Sequence, residues 1–336
     1  MDFRGKKILF ISASFFSYEK AITKRLQELG AEVDFYDERP SNSVLAKGLI
    51  RVNPKFYQWK INAYYRKILQ EIKGKHYDFF LLIKGEAVPF FFLEELKRSH
   101  PKTQKIFYAY DSSAEYPKFR ELFSFFDASY TFEPNDAKNF QLHFRPLFFI
   151  KDYIKHTENK QNIDLLFVGT AHTDRYIIGN KVEQKCQEIN LKSYFYYYAP
   201  GKIAFLLKRI FDKTMQTFDL KKISFQKLSH LEIAELYQQT NAVLDINKPF
   251  QYGLTMRTFE ALASGRKIVT TNSDIRYYPF FNPNNILIIN RENPQIDKRF
   301  FDTEFQNIPN QHLGKMTLDS WLEALFIKPQ DDYWTF

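Results

Sequence analysis

The chain has 336 residues, which is long for one domain and comfortable for two. Its 44% hydrophobic and 26% charged residues are those of a globular protein, which excludes disordered and fibrous classes. A net charge of +9 favours phosphate-bearing substrates, polyanions or anionic lipid surfaces.

Short apolar runs alternate with helix-period segments, the pattern of a parallel sheet covered on both faces. Lys6–Ala13 (KKILFISA) predicts a first strand, Tyr18–Leu29 a helix closed by Gly30, and Glu32–Tyr36 a second strand. Asn53–Lys73 predicts a long basic helix. Tyr77–Ile83, Lys105–Tyr110 and Ala128–Phe132 predict further strands, so residues 1–150 read as one Rossmann-like domain. The polar, aperiodic stretch 151–162 (KDYIKHTENKQN) reads as a linker. The alternation restarts over 163–336. Strands are predicted at Asp164–Val168, Ser193–Tyr198, Ala242–Ile246, Lys267–Thr271 and Ile286–Ile289. Helices are predicted at Tyr176–Ile189, His230–Gln239, Met256–Ser264 and Thr317–Phe326. Ser229 and Glu232 have capping-box spacing before the second of these. The fold class is α/β, with two Rossmann-like domains in tandem. Ligands are expected beyond the carboxyl ends of the strands, in a cleft between the domains.

The most informative segment is Gln251–Gly265, QYGLTMRTFEALASG. It runs from a turn after a strand into a helix. Gly253 suits close backbone approach, Thr255 suits an N-cap, and the helix start suits a phosphate. Arg257 and Glu260 share one helical face. They can neutralise a diphosphate and accept ribose hydroxyls respectively, or simply form a surface ion pair. A second segment, Phe167–Arg175 (FVGTAHTDR), places Gly169 in a turn after the first strand of the second half. His172 and Arg175 follow at the loop–helix junction, where Asp174 or Thr173 suits a cap and Arg175 is otherwise solvent-facing.

The run GLTMRTFEALASGRKIVTTN resembles the nucleotide-binding helix of bacterial GT-B glycosyltransferases, nearest to the capsular-polysaccharide and spore-maturation (CgeB-like) group. The Phe167–Arg175 loop, the KGE and YDSS stretches and FRPLF at Phe144–Phe148 agree with it. The resemblance implies a GT-B fold, with an N-terminal acceptor domain and a C-terminal donor domain. The terminal helix is then open to packing back on the first domain. It also implies that Gly169, His172, Arg175, Gln251, Gly253, Leu254, Thr255, Arg257 and Glu260 line the donor site, with Glu260 on the ribose and Arg257 on the pyrophosphate. Many retaining members carry a further glutamate where this chain has Tyr252, so neither that residue's role nor retaining stereochemistry carries over.

In the first half, Glu86 and Asp111 each follow a predicted strand and are the general-base candidates for an inverting transfer; a polar turn and an N-cap are the alternatives. No Asp-x-Asp pair, HExxH, GxSxG, P-loop or GxGxxG occurs, so neither metal nor cofactor is expected. The basic residues are scattered, without zinc-ligand spacing, so nucleic acid is not an expected partner. A single cysteine, Cys186, excludes an intrachain disulfide and suits the cytoplasm. Neither a signal peptide nor an apolar run of about 18 residues is visible. Ile203–Phe211 (IAFLLKRIF) carries an apolar stripe that fits either an anionic membrane or the chain's own sheet. The expected reaction moves a sugar from a nucleoside diphosphate sugar to a bacterial surface glycan (capsule, lipopolysaccharide or similar), free or lipid-linked, at the inner face of the cell membrane. A nucleotide-sugar epimerase and a non-catalytic nucleotide- or glycan-binding relative are the alternatives.

Overall fold

In the computed structural model, which describes residues 1–41, 54–154, 161–171, 174–211 and 213–334, the apolar runs become parallel strands. The residues cluster into two units, 1–145 with 319–332, and 146–318 with 333–336.

The first unit contains β1 (Lys7–Ser12), α1 (Tyr18–Glu28), β2 (Glu32–Asp37), α2 (Pro54–Ile72), β3 (Phe79–Ile83), α3 (Phe90–Ser99), β4 (Gln104–Ala109), β5 (Ala128–Thr131), α4 (Pro134–Phe140) and β6 (His143–Phe144). Its sheet runs β2-β1-β3-β4-β5-β6, with every pairing parallel. Strands β1 and β3 read as unbroken apolar runs, KILFIS and FFLLI, because both of their faces are buried. Leu9, Tyr65, Phe80, Phe92 and Phe107 fill the core on one face. On the other, Trp321 lies edge-on to Tyr108 at 4.8 Å, and Phe326 packs on Phe3 and Phe79. Gly30 closes α1 at φ +95°, where a Cβ would strike Arg4.

The second unit contains β7 (Ile163–Thr170), α5 (Arg175–Glu188), β8 (Ser193–Tyr198), α6 (Lys202–Phe211), β9 (Ile223–Ser224), α7 (His230–Gln238), β10 (Thr240–Asp245), α8 (Met256–Ala263), β11 (Lys267–Thr270) and β12 (Ile286–Ile288). The last helix, α9 (Leu318–Phe326), begins here and continues among residues of the first unit. The second sheet is also parallel, in the order β12-β11-β10-β7-β8-β9. The chain moves outward from β7 through β8 to β9, then crosses back to β10 and moves outward the other way. The reversal opens a crevice between the carboxyl ends of β7 and β10, which is where such sheets bind ligands.

The expected capping box opens α7. Ser229 Oγ accepts from the Glu232 N–H, and the Glu232 carboxylate accepts from the Ser229 N–H. The polar stretch read as a linker begins with a 3₁₀ turn, Lys151–Tyr153, whose Tyr153 is buried; residues 155–160 lie outside the described residues. Short elements such as α4, β6 and β9 had no sequence signal, being too brief for a period to register. Among the described residues no helix is long and apolar enough to cross a membrane.

Candidate functional site

Asp245 ends β10 at the reversal of the second sheet and is almost fully buried. Its two carboxylate oxygens take three donors. Arg257 Nη1 reaches one at 2.8 Å, and the hydroxyls of Thr255 and Thr258 reach the other at 2.8 and 2.9 Å. These bonds bolt the first turn of α8 to the strand end. Arg257 Nη2 donates to the Val168 carbonyl on β7 at 2.5 Å, so one guanidinium spans the β7–β10 crevice. The Phe167 ring lies beneath that guanidinium, 5.4 Å from ring centroid to Cζ.

Arg175, the first residue of α5, is buried beside it and donates from Nε to the Ile246 carbonyl at 3.0 Å. Burial, then repulsion from Arg257, pushes its pKa down to about 10, and Arg291 adds to the effect. Arg291 follows β12 and pairs with both oxygens of Asp174, at 2.8 and 2.9 Å. It also donates to the Asn247 carbonyl and side-chain oxygens. Three arginines thus converge on two aspartates. With Glu260 close to Arg257 the charges nearly balance, and the guanidinium groups at the sheet reversal supply the donors that suit an anionic ligand.

Several expectations change. Thr255 occupies the N-cap position of α8 but makes no side-chain cap, because its hydroxyl is spent on Asp245. Asp174 likewise precedes α5 without capping it, because Arg291 holds its carboxylate. Arg175 faces inward and not to solvent, and Arg257 forms a buried pair with Asp245 in place of a surface pair with Glu260. Gly169 packs where a Cβ would meet the Phe167 ring at 2.7 Å and Arg257 Nη2 at 3.2 Å. The Gln251–Thr255 loop is braced from both sides. Asn247 donates to the Gln251 carbonyl at 2.7 Å, Asn272 to the Tyr252 carbonyl at 2.8 Å, and Gln251 to the Gly253 carbonyl at 2.9 Å. Leu254 is buried. Glu260 is buried too, with its carboxylate against the Tyr153 hydroxyl; that hydroxyl also meets His230 Nδ1 at 2.8 Å. Burial, and then Glu260, raises the Tyr153 pKa far above the ordinary phenol value. His172 lies outside the described residues.

No protein-family model matches the chain, and no curated protein sequence matches it. Solved structures do. The Anabaena protein HepE, solved in complex with UDP and glucose, is similar over 95% of this chain and 100% of its own, with a TM-score of 0.60 and 10% identity. Sucrose-phosphate synthase from Thermosynechococcus elongatus, a GT-B glycosyltransferase, is similar over 85% of this chain and 86% of its own, with a TM-score of 0.53 and 12% identity. The chain has the GT-B fold.

In this GT-B chain a second charged cluster lies at the carboxyl ends of strands in the first unit. Lys84, after β3, pairs with Glu86 at 3.2 Å and with Asp111, after β4, at 3.0 Å. Arg39, two residues after β2, pairs with Glu86 as well. Glu86 and Asp111 are therefore brought together through Lys84, and no helix starts at Asp111. Burial works to raise the Glu86 pKa, but Lys84 and Arg39 outweigh it and hold it below the ordinary value. Beneath them Glu38 is fully buried and accepts the Gly85 N–H at 2.9 Å. Burial pushes its pKa up to about 7. Lys84 at φ +78° and Gly85 at φ +75° form two consecutive left-handed residues, a costly backbone for lysine that the surrounding ion pairs hold in place.

Sequence reasoning passed over Asp245, Asn247, Arg291, Glu38 and Arg39. An aspartate closing an apolar strand, as in TNAVLD, was a usable signal for Asp245. Arg291 had none, because only the pairing of β12 with β11 brings it near.

Proposed function

We propose that the chain transfers a sugar from a nucleoside diphosphate sugar to an acceptor hydroxyl. The observation that carries this reading is the set of Arg175, Arg257 and Arg291 at the β7–β10 reversal, beside the uncapped start of α8. In the transfer, the bond between the anomeric carbon and the diphosphate oxygen breaks as the acceptor oxygen bonds to that carbon. The arginines and the helix start then stabilise the departing diphosphate, a role that needs no metal. Gly169 makes room for Arg257 and the Phe167 ring beneath it, and the braced Gln251–Thr255 loop lets the donor approach the backbone. Glu260, oriented by Tyr153, accepts from the ribose hydroxyls. His172 completes the donor contacts. The first unit supplies the acceptor side, and Glu86 or Asp111 takes the hydroxyl proton.

The resemblance of GLTMRTFEALASGRKIVTTN to the capsular and CgeB-like group supports a bacterial surface glycan as acceptor, handled in the cytoplasm. UDP, the nucleotide in the HepE complex, is the first donor nucleotide to test.

Calorimetric titration with a panel of nucleoside diphosphates tests the reading. One nucleotide is expected to bind well above the rest, and Arg291→Ala to weaken it while the fold persists. Failure of every nucleotide to bind overturns the proposal.

A further inference from the structure

Helix α6 leaves the carboxyl end of β8 and turns its most apolar stripe outward. Phe205 anchors it, buried edge-on against Phe218 at 5.8 Å. Ile203, Ile210 and Leu207 are 77%, 66% and 54% exposed, and Leu206 is exposed beside them. With 3.6 residues per turn, these four side chains share an arc of about 100°. Exposed Lys202 and half-buried Arg209 border that arc. Isolated exposed aliphatics need no explanation, but four aligned on one helical face do.

Of the two readings that the sequence leaves open for this stripe, packing on the chain's own sheet is not met, because Ile203, Leu206, Leu207 and Ile210 are exposed while Phe205, on the other side of the helix, turns inward. The surrounding charge selects the occupant. From Tyr198 to Lys227 the sequence carries seven lysines and arginines against two aspartates, within a chain of net charge +9. A second copy of this chain would bring the same positive charge, whereas an anionic surface is attracted. The stripe is isoleucine and leucine, without the tyrosine or tryptophan anchors that dominate protein interfaces. It also lies on the outer side of the sheet, since β8 is followed only by the edge strand β9.

We infer that α6 is an interfacial helix that seats the chain on an anionic lipid bilayer. The aliphatic stripe enters the headgroup–acyl boundary, and Lys202 and Arg209 meet lipid phosphates. The inference stands apart from the transferase reading, although α6 departs from the same end of the second sheet as the arginine cluster.

Co-sedimentation of the full chain with vesicles tests it. Phosphatidylcholine vesicles with about 30 mol% phosphatidylglycerol, and phosphatidylcholine alone, are the two surfaces. The chain is expected to partition onto the anionic vesicles at least about tenfold more than onto the neutral ones. Ile203→Glu with Ile210→Glu should lower that partition about tenfold or more while thermal unfolding is unchanged. Lys202→Glu with Arg209→Glu should remove the preference for anionic lipid. Equal partition onto both vesicle types, no binding to the anionic ones, or wild-type binding by the Ile203/Ile210 variant would each overturn the inference. So would light scattering that shows a wild-type dimer becoming a monomer in that variant, which would make the stripe a self-interface.

Discussion

The guanidinium of Arg257 meets the carboxylate of Asp245 at 2.8 Å, with both groups largely withdrawn from water. The remaining oxygen of Asp245 is filled by Thr255 and Thr258. Such a pair adds little over an apolar pair of the same shape, but removing one partner strands a buried charge. Asp245→Ala is therefore expected to cost about 3–5 kcal/mol in denaturant unfolding. Thr258→Val, which removes one of three donors, should cost only about 1 kcal/mol. Equal effects of the two substitutions would show that the pair is not the organising contact.

Arg291 differs from Arg257 in being partly exposed and held by the partly exposed Asp174. Its removal leaves no buried charge unpaired. Arg291→Ala should weaken nucleoside diphosphate binding by about tenfold to a hundredfold, the worth of a charge-assisted hydrogen bond to phosphate. The melting temperature should move by only a few degrees. Calorimetry beside a thermal melt separates the two effects, and unchanged affinity would remove Arg291 from the site.

Gly169 is a tighter test of geometry. A methyl group there meets the Phe167 ring at 2.7 Å and Arg257 Nη2 at 3.2 Å. Gly169→Ala must displace one or both, so it should lower stability by about 1–3 kcal/mol and weaken nucleotide binding together. Loss of stability with wild-type affinity would mean that the Phe167 ring yields and Arg257 does not.

Glu38 gives a pH signature. Its folded pKa, about 7, lies above the unfolded value near 4.5. The protonated form is therefore the one favoured by folding. That contribution is complete below about pH 4.5 and is lost as pH rises towards 7. Glu38→Gln keeps the shape without the charge. Relative to wild type, it should be unchanged in stability near pH 4 and gain up to about 3 kcal/mol at pH 8. Unfolding free energies of both proteins across that range decide the matter, and parallel curves would refute a buried titrating Glu38.

Glu86 and Asp111 share Lys84. Once a donor and acceptor are in hand, Glu86→Gln or Asp111→Asn should lower kcat by about a hundredfold or more at whichever acts as base. The other substitution should act mainly on KM. A kcat within a few-fold of wild type in both variants would exclude both residues.

The fold was largely legible in the chain. Runs such as KKILFISA and YDFFLLI are short, apolar on both faces and bounded by turn or helix signals, which suits strands inside a covered parallel sheet. The capping box at Ser229 and Glu232 and the left-handed Gly30 were likewise written locally, because each depends on residues within one turn. The turn-and-helix segment Gln251–Gly265 was legible for the same reason, and it follows the carboxyl end of β10 in the second sheet.

What the tertiary structure decided was the partner of each polar group. Thr255 and Asp174 stand where caps stand, yet their side chains answer to Asp245 on the preceding strand and to Arg291, 117 positions away. Spacing carries no information about such pairings, because strand order sets them. The chain reverses between β7 and β10, and that reversal draws Arg257, Val168 and Asp245 together. The stripe of α6 follows the same logic. Its period was visible in IAFLLKRIF, but only the packed structure fixed which side turned outward, with Phe205 inside and Ile203, Leu207 and Ile210 in solvent.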